Sequence, residues 1–160
     1  MSQSFFVGRI ILRAVIQRVL QSRVEANGRI IAQIDEGLLV YLSVGRTDTP
    51  KDAQFMADKL VNLRVFADEA GKMNRSVLDV GGRILLVSNF TLHGDCRKGR
   101  RPGFDGAAEA AKAEELYDKV AFLVAERGVG VEKGVFGEHM HVRSINDGPV
   151  TLLLDSTRLF

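Results

Sequence analysis

Ser88-Asn89-Phe90-Thr91 closes the apolar run Ile84-Leu85-Leu86-Val87, so two hydroxyls and an amide stand where a buried strand reaches the surface. Active sites are often built at such strand ends, because a rigid scaffold presents polar groups there. The same residue types also cap and turn a chain, so composition alone supports a site or a turn. In a regular strand Ser88 and Phe90 share one face, while Asn89 and Thr91 share the other. Both hydroxyls reach one pocket only if the strand breaks there. A hydroxyl nucleophile needs a neighbouring base, and no Asp near His93, the closest imidazole in sequence, identifies a triad.

Three further segments carry chemistry of a less specific kind. Arg97-Lys98-Gly99-Arg100-Arg101 places four cations in five residues, and Pro102-Gly103 behind it makes a loop. Such a loop suits contacts to phosphates, each cation displacing condensed counterions, and it equally suits a solvated charge run. Asn146-Asp147-Gly148-Pro149 is a turn by composition, with Pro149 tolerated at the start of a strand where no ladder donor is lost. His139 and His141 share a face of an extended segment, but no third residue is spaced to complete a zinc site, so no metal is expected. No cofactor is expected either.

The elements that must position these residues follow from periodicity and turn chemistry. Leu12 to Val19 alternates and is rich in β-branched residues, which predicts a strand. Asn27-Gly28 between Val24-Glu25-Ala26 and Arg29-Ile30-Ile31-Ala32 predicts a hairpin with a type I′ turn, whose positive φ angles this dipeptide accepts. Gly37 to Val44 is almost continuously apolar and predicts a strand in mid-sheet, buried on both faces. Thr49-Pro50-Lys51-Asp52 reads as a helix start, with Thr49 as N-cap, and Ala53, Met56, Ala57 and Leu60 form its buried stripe. A second helix is expected from near Asp105, its apolar positions Ala113, Leu116, Tyr117, Val120, Leu123 and Val124 recurring at helical spacing, with Gly128 as its stop. Arg64 to Ala67, Arg83 to Phe90, Met140 to Ile145 and Val150 to Leu154 read as strands. The sum is one α+β domain, a mostly antiparallel, barrel-like sheet with two amphipathic helices.

Composition limits what this domain can be. The chain has 160 residues and 46% apolar content, enough for one core, and 26% charged residues, which argues against disorder. A formal net charge of +2 implies nothing about nucleic acid by itself; the placement of charge matters more. The single cysteine, Cys96, excludes an internal disulfide and fits a cytoplasmic location. No apolar run approaches a membrane span, and residues 1–11 lack the features of a secretory signal, so they read as an N-terminal extension to a domain over 12–160.

Taken together, the sequence resembles the D-aminoacyl-tRNA deacylase family, whose members begin Met-Arg-Ala-Val-Ile-Gln-Arg-Val and carry Ser-Gln-x-Thr and Asn-x-Gly-Pro-x-Thr. Leu12-Arg13-Ala14-Val15-Ile16-Gln17-Arg18-Val19, Ser88-Asn89-Phe90-Thr91 and Asn146-Asp147-Gly148-Pro149-Val150-Thr151 stand here in that order. Gly37-Leu38-Leu39-Val40, Lys98-Gly99-Arg100-Arg101-Pro102 and Gly134-Val135-Phe136-Gly137 support the match between them. The resemblance implies hydrolysis of the ester of D-aminoacyl-tRNA, and of mischarged glycyl-tRNA, by a homodimer with its site at the subunit interface. It implies that Gly148-Pro149, joined by a cis peptide, enters the partner's pocket and rejects L side chains through its main chain. Ser88, Phe90 and Thr91 then form the catalytic wall, whose backbone N–H groups face the oxyanion. Asn89 and Asn146 belong to the substrate-binding set, Arg18 supports the Gly-Pro loop, and Arg97, Lys98, Arg100 and Arg101 meet the tRNA.

Family views of the attacking group differ between a Thr nucleophile and water assisted by the terminal 2′-hydroxyl of the tRNA. The lack of a base beside Thr91 favours water. Asn89 stands where the family usually has Gln, and Leu12 stands where it has the initiating Met, which implies a natural start at position 12. The rival readings are a non-catalytic RNA-binding dimer on the same fold and a hydrolase of small esters acting through Thr91. The second leaves the basic loop without a task.

Overall fold

The computed structural model describes residues 11–160, so the expected extension falls, apart from Ile11, outside the described residues. Eight strands and two α-helices follow in the order β1 (Arg13–Ala26), β2 (Arg29–Ile34), β3 (Gly37–Ser43), α1 (Pro50–Asn62), β4 (Phe66–Ala67), β5 (Met73–Arg75), β6 (Arg83–Ser88), α2 (Ala110–Glu126), β7 (Gly130–Lys133) and β8 (His141–Asp155). The class is the expected one: α+β, a barrel-like sheet with two helices.

The long strand β1 organises the sheet. One of its edges pairs antiparallel with β3 along residues 13–19 and with β2 along residues 22–26, and its other edge pairs with β8 along nearly its whole length. The two segments expected at Leu12 to Val19 and Val24 to Ala26 are therefore one strand. The Asn27-Gly28 turn has φ of 51° and 72°, the left-handed values that a type I′ hairpin demands. Beyond β3 the order continues through β6 and β7, both parallel to their neighbours, because α1 and α2 serve as the crossovers. β5 and β7 are too short to show a period, and the sequence gives no sign of them. Only Phe66 and Ala67 of the strand expected from Arg64 are paired, because the Val65 carbonyl accepts from Arg18 Nη1 at 2.6 Å.

Both faces of the sheet are covered near its centre. Ala14, Ile16, Leu38, Val40, Leu42, Ile84 and Leu86 pack under the helices, against Met56, Leu60, Tyr117, Val120 and Val124. On the other face Leu39, Leu85 and Val87 meet Val19, Val24, Ala32 and Ile34, where β1 and β2 curl over. This explains why β3 is apolar throughout. Thr49 begins α1 as expected, with the Asp52 carboxylate accepting from its N–H at 2.8 Å and its hydroxyl at 3.1 Å. Helix α2 starts at Ala110 rather than near Asp105. The intervening backbone is committed elsewhere: Ala108 N–H donates to the Val44 carbonyl at 2.9 Å, and Arg46 N–H to that of Gly106 at 3.2 Å. Tyr117, buried in α2, donates its hydroxyl to the Leu86 carbonyl at 2.7 Å and so ties the helix to β6.

Candidate functional site

The strand breaks where a shared pocket requires it to break. β6 ends at Ser88, and Phe90–His93 forms a single 3-10 turn. Ser88, Asn89, Phe90 and Thr91 consequently line one cleft of about 570 Å3, whose other walls include Ser43, Ala108, Ala113, Phe136, His139 and Met140. The cleft thus lies where the ends of β3 and β6, the start of α2 and the segment before β8 meet. Nothing local in the sequence singles out Ser43, Ala108 or Met140 for it. Phe136 stands in the glycine-flanked segment that supports the family resemblance, and only the tertiary fold brings it here.

Asn89 caps the turn. Its Oδ1 accepts from the Thr91 N–H at 3.3 Å and also from the Thr91 hydroxyl. The Thr91 proton is thereby committed to an amide, which is not a base. His93 faces away, buried between Ser43 and the Ile11 carbonyl. The leading N–H groups of a helical turn have no partner within it, and the Phe90 N–H stands at that position in this turn. Phe90 itself is 56% exposed and packs edge-on against Phe104, ring centres 5.1 Å apart.

Phe104 leaves the basic loop, so that loop springs from the rim of the cleft. Its neck is closed by reciprocal bonds between Asp95 and Gly103, 2.7 and 2.9 Å long. Arg97 is clamped by both oxygens of Asp95, at 2.8 and 2.7 Å, which holds that carboxyl well below the usual carboxylate range. Lys98, Arg100 and Arg101 are exposed beside it and enter none of the ion pairs found among the described residues.

Two separate strands are expected around the second motif, and the structure corrects this: β8 is one strand that carries a bulge. Thr151 pairs with Gln17 and Asn146 with Val19, leaving Asp147, Gly148, Pro149 and Val150 opposite Arg18 alone. Asn146 closes the base of the bulge, its Oδ1 accepting from the Val150 N–H at 3.2 Å and its Nδ2 donating to Thr151 Oγ1 at 3.1 Å. Arg18 clasps it from β1, Nε meeting the Asp147 carbonyl at 3.3 Å and its carboxylate at 3.2 Å. Gly148 has φ +132°, the Gly148-Pro149 peptide is cis, and both residues are exposed.

The two motifs lie apart within one chain. Arg18, opposite the bulge, is level with Leu38 on β3, while Ser88 is level with Leu42. Four residues along the strands and three strand spacings across them amount to a path of roughly 20 Å along the sheet. Neither Gly148 nor Pro149 lines the cleft. His139 and His141 meet edge to face with ring centres 5.2 Å apart, and no group of three or more His, Cys, Asp and Glu residues suited to a metal occurs among the described residues. No described helix is long and apolar enough to cross a membrane.

The sequence profile of a family described as D-Tyr-tRNA(Tyr) deacylase matches residues 15–155. A D-aminoacyl-tRNA deacylase of Desulforudis audaxviator (strain MP104C) is 55% identical over 149 residues, 93% of this chain and all of the relative. That of Thermotoga petrophila is 50% identical with the same coverage. Among solved structures, the c-Myc DNA Unwinding Element Binding Protein superposes with a TM-score of 0.84 at 39% identity, over 89% of this chain and 97% of the other. A probable eukaryotic D-amino acid tRNA deacylase shares the fold at a TM-score of 0.78 and 20% identity, over 90% and 98% of the two chains.

Proposed function

The chain belongs to the D-Tyr-tRNA(Tyr) deacylase family, and from that membership we propose that it hydrolyses the ester of D-aminoacyl-tRNA in the cleft formed by Ser88, Asn89, Phe90 and Thr91. The carrying observation is that cleft: a broken strand end that gathers the whole first motif and offers a backbone donor beside an apolar chamber. The ester carbonyl lies against the turn, where the Phe90 N–H meets the developing oxyanion. Water attacks, aided by the terminal 2′-hydroxyl of the tRNA, because the Thr91 hydroxyl is already bonded to Asn89. No cofactor or metal takes part, the protein works in the cytoplasm, and residues 12–160 act as one deacylase domain.

Selection against L substrates falls to Gly148 and Pro149 of a second copy. Two observations support this. The bulge stands away from its own chain's cleft, whose lining includes neither Gly148 nor Pro149, which favours service to a second copy's cleft. β8 also has only β1 as a ladder neighbour among the described residues, and Ile145, Leu152 and Leu153 stand 54%, 36% and 57% exposed along it. A 15-residue edge strand with exposed large apolar side chains favours a partner surface. A main-chain filter of this kind admits glycine as well as D residues, so mischarged glycyl-tRNA is a second substrate. Lys98, Arg100 and Arg101 hold tRNA phosphates at the rim.

One observation favours another reading, a nucleic-acid-binding dimer without catalysis: the solved structure at 39% identity is named for binding a DNA unwinding element. Discharge of D-tyrosyl-tRNA separates the two. Purified protein should release D-tyrosine without added metal and leave L-tyrosyl-tRNA largely intact. Binding without release supports the scaffold. The Arg100→Ala/Arg101→Ala variant should flatten the dependence of log Kd on log salt by about 0.7 to 0.9 per cation removed, as counterion release requires.

A further inference from the structure

His93 and Ser43 are both buried, at 6% and 2% exposure, and neither has a task in the proposed reaction. They touch each other: Ser43 Oγ lies at hydrogen-bond distance from His93 Nδ1, and His93 Nε2 lies against the Ile11 carbonyl. Ser43 Oγ is also 3.3 Å from the carbonyl oxygen of Phe90, and Ser43 lines the cleft. A second clasp joins the same turn to β1, where Arg13 Nη1 donates to the Leu92 carbonyl at 3.2 Å. The Phe90–His93 turn is thus strapped to β1 and β3 by side chains from behind, with its front facing the cleft.

Proton counting makes the pair more than a strap. A carbonyl only accepts, so the Nε2 proton belongs to the Ile11 contact, and in the neutral ring Nδ1 has none. Ser43 then donates its single hydroxyl proton to Nδ1, leaving Ser43 Oγ and the Phe90 oxygen as two acceptors side by side. Protonating the ring puts a hydrogen on Nδ1, which donates to Ser43 Oγ and releases the hydroxyl proton to the Phe90 carbonyl. Because a peptide is planar, whatever reorients the Phe90 carbonyl also reorients the Thr91 N–H that Asn89 Oδ1 holds, and so disturbs the turn that carries the Phe90 N–H.

We propose, resting on the deacylase reading of the cleft, that Ser43 and His93 are positioning residues for the hydrolysis, setting the Phe90-Thr91 peptide according to which of its two partners receives the Ser43 proton. The neutral arrangement is the working one. Burial, the largest influence, pushes the imidazole below its ordinary range; the Ile11 carbonyl opposes this and the Arg13 guanidinium reinforces it. Among the described residues Arg13 on β1 is the charged group facing the ring, and Ser43 on β3 is its polar neighbour. Neutral pH therefore keeps His93 uncharged, and acidification below the usual imidazole range turns the hydroxyl.

The test is single-turnover discharge of D-tyrosyl-tRNA between pH 5 and 8 by the full chain and by His93→Asn, His93→Gln and Ser43→Ala. An Asn carbonyl can replace Nδ1 as acceptor for Ser43, whereas a Gln amide can replace only the Nε2 donor to Ile11. His93→Asn is expected to stay within about threefold of the native rate, while His93→Gln and Ser43→Ala lose about tenfold to a hundredfold, the scale of a displaced reacting group. The native profile should show a fall on the acid side that all three variants lack. Thermal unfolding checks the fold; if His93→Gln does not fold, Ser43→Ala carries the same comparison. Native rates in His93→Gln or Ser43→Ala, or an unchanged acid limb in the variants, would overturn the proposal. Failure of the native protein itself to release D-tyrosine overturns instead the deacylase reading beneath it.

Discussion

Replacing Gly148 by alanine asks whether the main chain of the β8 bulge is the selective part of the site. At φ +132° an added Cβ would come 2.8 Å from Val150 Cγ2 and 2.9 Å from the Val150 backbone nitrogen. The side chain can turn away, but the nitrogen cannot move freely, since its N–H donates to Asn146 Oδ1. Holding a non-glycine residue in this region costs about 1 to 3 kcal/mol. Breaking the Asn146 bond to relieve the contact costs about 1 kcal/mol more. A total of about 2 to 4 kcal/mol lowers the native bulge geometry by a factor of roughly 30 or more. Gly148 is exposed and the ladder continues on both sides, with Gln17 on Thr151 and Val19 on Asn146, so the bulge rearranges while the fold persists. Discharge of D- and L-tyrosyl-tRNA, measured side by side with the melting temperature, gives the answer. The ratio of D to L rates should fall at least about tenfold, with Tm lowered by about 2 to 4 °C for each kcal/mol that the bulge fails to relax. An alanine variant with the native rate and the native D to L ratio would refute the idea that this backbone performs the selection.

Two further outcomes follow from the geometry. Thr91→Ala removes a hydroxyl already bonded to Asn89, so discharge should stay within about tenfold of native, the value of one hydrogen bond in the turn; complete loss with tRNA binding intact, and an acyl-enzyme trapped on the native protein, would restore Thr91 as nucleophile. Asp48, 3% exposed, accepts from the Gly45 N–H through Oδ2, and burial, outweighing the N–H groups of Gly45 and Leu12, raises its pKa to about 6. A raised carboxyl contributes stability that is complete below its ordinary value near 3.8 and is lost as pH climbs through about 6. Between pH 4 and 7.5 the native protein should lose up to about 3 kcal/mol relative to Asp48→Asn in urea unfolding. Parallel pH profiles for the two would count against it.

Much of this protein is readable without coordinates, for reasons that are local. The Asn27-Gly28 turn, the Thr49-to-Asp52 helix start and the doubly buried strand from Gly37 each depend on residues close in sequence. The ordered motifs, in turn, suffice to place the chain in its family. Even the need for a break after Ser88 is a consequence of alternation along a strand. The start of α2 is not readable, because Ala108 gives its N–H to Val44, more than sixty residues away in sequence. Nor is the continuity of β8: Asn-Asp-Gly-Pro signals a turn, and only the uninterrupted partner strand β1 converts that turn into a bulge on one long strand. The pairing of Ser43 with His93 and the distance between the two motifs depend in the same way on strand order and register. These belong to the tertiary structure, since a side chain's partners across a sheet are set by which strands neighbour it, and no short stretch of sequence contains both.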